Sequence, residues 1–248
     1  MPGENSKEIE LSISEIYDRL QYAPLPIQEK EQKTDEFKEI SDDINENRIR
    51  RSCMEVSGDM DYKHFLVFKM HPVTAALKAF KNESVIYTDT PLMRIAIIER
   101  ILEENEKTNI DKPRGGFASN KSSRRILLPI PKIICVAEHP QAAEFAKKYN
   151  VSKSMAGFMI LKDEIRRSVV IIGKDDPALL SVCRMAERGI LPYLALVFPS
   201  GIHTQKTSKE CVLEVPNLPV ITMSHTKGGI EAAAACFVEL MKIYEETL

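Results

Sequence analysis

Tryptophan is absent from the 248-residue sequence, and only 6% of the residues are aromatic. The formal net charge at pH 7 is only -2, so the chain has no global field that would attract a polyanion. Basic and aromatic residues also do not alternate in the manner of proteins that stack on single strands. The composition therefore argues against binding to nucleic acid.

The sequence also lacks long hydrophobic runs. The longest apolar stretches, such as Ser168 to Gly173 and Tyr193 to Pro199, fall well short of the roughly 20 residues that a membrane-spanning helix needs. The N-terminus is polar and does not resemble a signal peptide. We therefore expect a soluble, cytoplasmic protein without a membrane partner.

Cysteine is sparse, and its five residues form no C-x-x-C pair, which argues against a disulfide framework and against a zinc site. We expect most of the cysteines to be small buried hydrophobes, and we expect no metal site. The nucleotide motifs G-x-x-x-x-G-K-[ST] and G-x-G-x-x-G are absent as well, which disfavours a nucleotide ligand. The cysteines are Cys53, Cys135, Cys183, Cys211 and Cys236.

Apolar residues make up 44% of the chain, which is enough for a substantial core and an added extension. Residues 1–50 are highly charged, and their few apolar residues recur at helical spacing. We therefore divide the chain into a helical extension at 1–50 that packs on an α/β domain at 51–248. The apolar positions of the predicted extension helices are Ile9, Ile13, Ile16, Leu20, Phe37, Ile40 and Ile44.

After residue 80, short apolar runs alternate with longer helical segments, a pattern that predicts a parallel sheet covered by helices on both faces. We expect a three-layer α/β/α fold with a five-stranded parallel sheet. The predicted strands are Ser84 to Thr88, Ile133 to Ala137, Ser168 to Gly173, Tyr193 to Pro199 and Val220 to Ser224. The predicted helices are Pro91 to Glu104, Gln141 to Tyr149, Ser154 to Lys162, Pro177 to Arg188, Ser208 to Leu213 and Gly229 to Glu246.

Residues 106–131 interrupt this alternation because they are rich in glycine, serine, proline and basic residues. The composition predicts a long loop inserted into the domain. Two interpretations stay open, a mobile surface insertion or a basic lid over an anionic ligand. The basic residues of such a lid are Arg114, Lys121, Arg124 and Arg125.

The loops that follow the strands are the predicted place for a ligand, since the crevice of an open α/β sheet lies beyond the carboxyl ends of its strands. Lys227, Gly228 and Gly229 precede an alanine-rich helix at such a position. Backbone N–H groups, the positive end of a helix dipole and a lysine together suit an anion. A glycine turn that binds no ligand is the alternative interpretation.

Five short stretches in a fixed order give the sequence a family resemblance. The order is similar to that of the precorrin-8X methylmutases of corrin (vitamin B12) biosynthesis, from about residue 33 to the C-terminus. The stretches are "IYTDTPLM", "VSKSMAG", "IIGKDDPALL", "SGIHTQKTSKE" and "TKGGIEAAAA".

The resemblance implies a flavodoxin-like homodimer that needs no cofactor. The family reaction moves a methyl group from C11 to C12 of a tetrapyrrole macrocycle, so the implied substrate is precorrin-8X or cobalt-precorrin-8. A dimer would also cover the apolar stripes of the N-terminal helices. The residues that we assign to the substrate are Asp89, Ser154, Gly173, Ser200, Gly201, Ile202, Ser208, Lys209, Lys227, Gly228 and Gly229.

The sequence departs from the family pattern at the residue expected to donate a proton. Where the family has a histidine in a His-Ala-Thr-Gly-Asp stretch, this chain has Glu55. An unperturbed glutamate costs roughly 3.7 kcal/mol to protonate at pH 7, but burial against an apolar ligand lowers that cost. Glu55 is therefore a candidate acid, with a ligand contact and a solvated carboxylate as alternatives. His203 is the weaker alternative donor.

Two functions stay open on the sequence alone. One is a divergent methylmutase, and the other is a non-catalytic paralogue that binds a tetrapyrrole or another polyanion. An unrelated small-molecule binder on the same scaffold is a third interpretation, because fold does not fix function. The loops at 174–176 and 200–207 also depart from the family pattern, which puts the fit of the usual substrate in question.

Overall fold

The computed structural model describes residues 42–110, 127–200, 208–224 and 226–248. Helices and strands alternate along most of this length, as the apolar runs predict. In chain order the elements are α1 (Asp42–Ser57), α2 (Tyr62–Phe65), β1 (Leu66–Lys69), α3 (Pro72–Lys81), β2 (Ile86–Thr88), α4 (Pro91–Ile110), β3 (Ile133–Cys135), a 3-10 helix (Val136–Glu138), α5 (Ala142–Tyr149), α6 (Lys153–Ile160), β4 (Val169–Ile172), α7 (Asp176–Glu187), β5 (Leu194–Val197), α8 (Ser208–Glu214), β6 (Val220–Met223) and α9 (Ile230–Glu246).

The sheet has six strands in the order β1-β6-β5-β4-β2-β3. Strands β2 to β6 pair in parallel, whereas β1 pairs antiparallel with β6. Each of the five predicted segments contains a strand, but the predicted five-stranded, all-parallel sheet is wrong because β1 is added at one edge. Only the first residue of β1 is buried, so this strand lacks the continuous apolar run of a strand covered on both faces.

The chain changes direction across the sheet between β2 and β4. Strand β3 lies on one side of β2, while β4, β5 and β6 follow one another on the other side. Taken by themselves in chain order, the five parallel strands lie in the order 2-1-3-4-5. The ligand crevice of such a sheet lies where the strand order reverses. The residues after β2 and after β4, beginning with Asp89 and Gly173, occupy that place.

Helices cover both faces of the sheet. Helices α1, α3, α4 and α9 pack on the face that includes Ile86, and helices α6, α7 and α8 pack on the face that includes Tyr87. These two residues are adjacent in β2, and successive side chains of a strand point to opposite faces. Every residue of β2, β4, β5 and β6 is buried, which explains why these strands were recognisable as apolar runs.

Helix α1 lies antiparallel against α9. Near its carboxyl end, the Cys53 thiol donates to the Ala232 carbonyl at 3.6 Å. Near its amino end, the Arg48 guanidinium binds Glu239 at 2.9 Å and also pairs with Glu246. The helix passes through residue 50, where the sequence placed the boundary between extension and domain.

Helix α4 continues to Ile110, six residues past its predicted end at Glu104 and into the predicted 106–131 loop. The Asn105 side chain donates to the Leu128 carbonyl at 3.0 Å and accepts from the Leu128 N–H at 2.8 Å, so the chain returns beside the helix. The basic residues of the predicted lid lie outside the described residues. In the part that the structure describes, no helix is long and apolar enough to cross a membrane.

Candidate functional site

Three backbone groups in the turn 227–229, which belong to two consecutive peptide units, are each held by a different part of the chain. The turn connects β6 to α9 at the carboxyl edge of the sheet. Its partners come from the first turn of α8, from α2 and from the end of β5. The hydrogen bonds run from Lys209 Nζ to the Lys227 carbonyl, from the Tyr62 hydroxyl to the Gly228 carbonyl at 3.2 Å, and from the Gly229 N–H to the Phe198 carbonyl at 2.6 Å.

Glycine is required at the centre of this turn. Gly228 has a φ of 155°, and a Cβ added there would lie 2.2 Å from the Phe198 carbonyl oxygen. No side chain fits at that distance, so the close approach of the turn to β5 depends on glycine. The adjacent Gly229 has a φ of 122°, which also favours glycine, although a Cβ there meets nothing within 4 Å.

The Lys227 side chain is already paired with two carboxylates. Its ammonium group binds Asp59 at 2.6 Å and also binds Asp61, and these acids stand between α1 and α2. The pKa of Lys227 is raised by its hydrogen bonds to Asp59 and Asp61, and the pKa of Asp59 is lowered chiefly by the hydrogen bond from Lys227. The lysine predicted to receive an anion is therefore neutralised within the chain itself.

Lys209 differs from Lys227 because it is buried, with only 4% of its surface exposed. Burial lowers the pKa of its ammonium group to about 8, and the nearby Asp176 carboxylate opposes this shift. Since Nζ donates to the Lys227 carbonyl, Lys209 holds the turn rather than standing in open solvent. The start of α8 and the turn 227–229, both of which contain residues assigned to the substrate, are thus in direct contact.

Asp89 is fully buried at the point where the strand order reverses. One carboxylate oxygen, Oδ2, accepts the N–H groups of Lys174 and Asp175 at 2.8 and 2.9 Å. Burial raises the pKa of Asp89, and these backbone hydrogen bonds only partly offset the effect. The carboxylate fixes the turn between β4 and α7. Asp175 then caps α7 by accepting the Ala178 N–H at 3.1 Å.

Two other predicted site residues are held in tight packing. Gly173 follows β4, and a Cβ there would lie 2.7 Å from the Met93 sulfur and 3.0 Å from the Ile230 side chain. Ser154 is buried in the first turn of α6, which Ser152 caps by accepting the Met155 N–H at 3.0 Å. Close packing accounts for the small side chains at both positions.

Of the remaining residues assigned to the substrate, only Ser200 and Ser208 belong to the part of the chain that the structure describes. Ser200 is exposed after β5, and Ser208 begins α8. Gly201, Ile202 and His203 lie outside the described residues.

Glu55 is exposed in the last turn of α1. It follows Arg48, which binds Glu239 of α9, by seven residues, and side chains seven apart lie on nearly the same side of a helix. Within a single chain, Glu55 is therefore an exposed carboxylate at the margin of the contact between α1 and α9.

Sequence reasoning missed the roles of Tyr62, Asp59 and Asp61. The available signal was the pair of aspartates two positions apart before an aromatic residue, in "GDMDY". Their partners in the turn 227–229 are 166 to 168 residues away, so local sequence does not reveal the pairing.

Comparison with known proteins identifies relatives of this chain. The family model described as precorrin-8X methylmutase matches residues 27–122 and 123–243. The cobalt-precorrin-8 methylmutase of Methanocaldococcus jannaschii is 29% identical over 202 residues, which cover 79% of this chain and 81% of that protein. The enzyme of the same name from Leptospira interrogans is 24% identical over 203 residues, which cover 78% of this chain and 80% of that protein.

A solved structure shares the fold. The precorrin-8X methyl mutase of Thermus thermophilus superposes with a TM-score of 0.64 at 19% identity, covering 82% of this chain and 87% of that one. With the family model matching 217 of the 248 residues (96 from 27–122 and 121 from 123–243), the assignment rests on most of the sequence. The chain therefore belongs to the precorrin-8X methylmutase family.

Proposed function

We propose that this protein acts in cobalamin biosynthesis on a corrinoid precursor, precorrin-8X or cobalt-precorrin-8, and moves a methyl group from C11 to C12 of the macrocycle. The observation that carries the proposal is the match of the family model across most of the chain. The turn 227–229 and α8 are hydrogen-bonded to each other and form a surface at the carboxyl edge of the sheet. Ligands of open α/β sheets bind at this edge.

The reaction is an isomerisation, so its atoms balance without a co-reactant. The methyl group loses its bond to C11 and gains one to C12. Any proton that the protein donates to the macrocycle is transferred back to the protein. The protein's task is then to bind the ring and to control its protonation. Glu55 is the proposed donor, with His203 as the alternative. Because Glu55 is exposed in one chain, it acts only if the macrocycle or a second subunit covers it.

We further propose a cytoplasmic homodimer with a flavodoxin-like core and a site completed near the subunit boundary. The 2-1-3-4-5 order of the parallel strands supports the core assignment. Leu92, Ile95 and Leu102 are exposed on one face of α4, and a partner subunit would cover them. Light scattering at micromolar concentration tests the dimer, and a monomer would contradict it.

A non-catalytic paralogue that binds a tetrapyrrole is the second candidate. The observation that favours it is the presence of an exposed Glu55 where the family has a histidine. Such a protein would keep the family fold and the ring surface after losing the proton donor.

The decisive experiment mixes the purified protein with precorrin-8X and, separately, with cobalt-precorrin-8, and follows the absorption spectrum. The Methanocaldococcus relative serves as the positive control. Appearance of the product spectrum supports the methylmutase. Pigment that co-elutes with the protein without conversion supports the non-catalytic binder, and neither binding nor conversion would overturn both proposals.

A further inference from the structure

A pocket of about 430 Å³ lies at the amino ends of the strands, on the edge of the sheet opposite the candidate site. It is enclosed by the last turns of α3 and α9, by the start of β2 and by the segment before β3. Its walls are mainly apolar. They are formed by Phe80, Ile86, Pro129, Pro131, Met241 and Tyr244.

These walls are held in place without a ligand. The Phe80 ring packs between two other rings, with centroids 5.7 Å from Phe237 and 5.6 Å from Tyr244. The segment that carries the two prolines is tied to α4 by the paired hydrogen bonds between Asn105 and Leu128. A preformed apolar cavity of this volume is within the range of small-molecule sites.

The charge around the pocket favours a cation. Two carboxylates, Glu83 and Glu245, line it against one ammonium group, that of Lys132. Helices α3 and α9 both end at the pocket, and the carboxyl end of a helix carries a partial negative charge. Phe80 and Tyr244 also contribute aromatic rings to the lining, and aromatic rings attract a positive group.

We propose that this pocket binds a small organic cation, one with an aromatic or alicyclic body and a single ammonium group. The apolar body fills the space between Phe80, Met241 and the proline segment, and the ammonium group lies toward Glu83 and Glu245. The proposal does not depend on the methylmutase function. Asp89, at the opposite edge, lies roughly 10 Å along the strand direction from Ile86, so the two surfaces are separate.

Tryptamine is a suitable probe because the chain contains no tryptophan, so the indole fluorescence of the probe is not obscured. We expect saturable binding with a Kd on the order of 1 mM or tighter, as suits a compact ligand. Indole-3-acetate has the same ring and the opposite charge, and it should bind at least about tenfold more weakly. Uncharged indole provides the reference for the apolar part alone.

Charge variants separate the proposed electrostatics from simple burial of the ring. Replacing both carboxylates, Glu83→Gln with Glu245→Gln, should weaken tryptamine binding by about tenfold and leave indole binding unchanged. Lys132→Gln should strengthen tryptamine binding about twofold or more. Glu231→Gln, at the other end of α9, is the matched control for a lost negative charge and should have no effect.

Three outcomes would overturn the proposal. They are the absence of saturable tryptamine binding, equal binding of indole-3-acetate, and undiminished tryptamine binding by the Glu83 and Glu245 double variant. Thermal unfolding of each variant verifies that it is folded, and a folded double variant with wild-type affinity is decisive.

Discussion

The ammonium group of Lys209 donates a hydrogen bond to the backbone carbonyl of Lys227 and so joins the start of α8 to the turn before α9. Only 4% of Lys209 is exposed, and burial lowers its pKa from 10.5 to about 8. The charged amine is thus less favourable in the folded chain than in water. Burying the charged Lys209 to form this hydrogen bond therefore lowers the stability of the fold by an amount that depends on pH.

Stability should therefore rise with pH between about 8 and 10.5, because the unfolded chain then binds more protons at this amine than the folded chain. The contribution of Lys209 is at most about 3 kcal/mol and is constant below pH 8, where both states are protonated. Urea unfolding from pH 7 to 10 should show wild type gaining stability relative to Lys209→Met. Lys153→Met, at an exposed lysine, is the control and should show no such trend. A difference between wild type and Lys209→Met that is independent of pH would contradict the burial.

Gly228→Ala should destabilise the fold by about 3 kcal/mol or more, because the new Cβ would lie 2.2 Å from the Phe198 carbonyl. Gly58→Ala is a matched control, since Gly58 also has a positive φ, 65°, but a Cβ there meets nothing within 4 Å. It should cost only about 1 kcal/mol. Both values come from urea unfolding. Equal losses would show that backbone conformation alone, and not the approach to β5, requires glycine.

The sequence predicted best the strands in which every consecutive residue is buried. Strands β4, β5 and β6 are covered on both faces, so they form apolar runs that need no knowledge of their neighbours. Strand β1 was missed because it is half-buried and forms only when Leu66 meets Met223 on β6, far along the chain. Helix α3 was also missed, although Pro72 stands in its first turn, a position that favours proline.

The site was predictable only as far as local features allow. The glycines before α9 indicate a tight turn wherever they occur, and the turn is present. The burial of Lys209 and the pairing of Lys227 with Asp59 and Asp61 arise from tertiary packing, which brings three distant parts of the chain together. A lysine beside two glycines gives no sign that its charge is already neutralised.

The carboxylates on Lys227 should weaken the binding of an anionic ring. On the proposed function, replacing both, as in Asp59→Asn with Asp61→Asn, should tighten binding of hydrogenobyrinate, a product of the family reaction, by about two- to tenfold, because Lys227 is released. Lys227→Gln should weaken binding by a similar factor. Absorbance titration measures both, and added salt should reduce both effects. Weaker binding by the double variant would instead show that the aspartates hold Lys227 in the orientation that the ligand needs.

Glu55 is the residue on which the choice between enzyme and binder depends. If it donates the proton, Glu55→Gln should lower the turnover of precorrin-8X by about a hundredfold or more and leave ring binding within about threefold, because the amide keeps the shape of the side chain but has no acidic proton. Glu83→Gln, at the opposite edge of the sheet, is the control for a lost carboxylate and should leave turnover unchanged. If a second subunit of the proposed homodimer is what covers the exposed Glu55, dilution below the dimer dissociation constant should remove turnover from wild type as well. Undiminished turnover of Glu55→Gln would remove this residue from the mechanism and make His203 the next donor to test. If wild type binds the ring without converting it, Glu55→His should restore turnover only if the loops around residues 174–176 and 200–207 still accept the substrate.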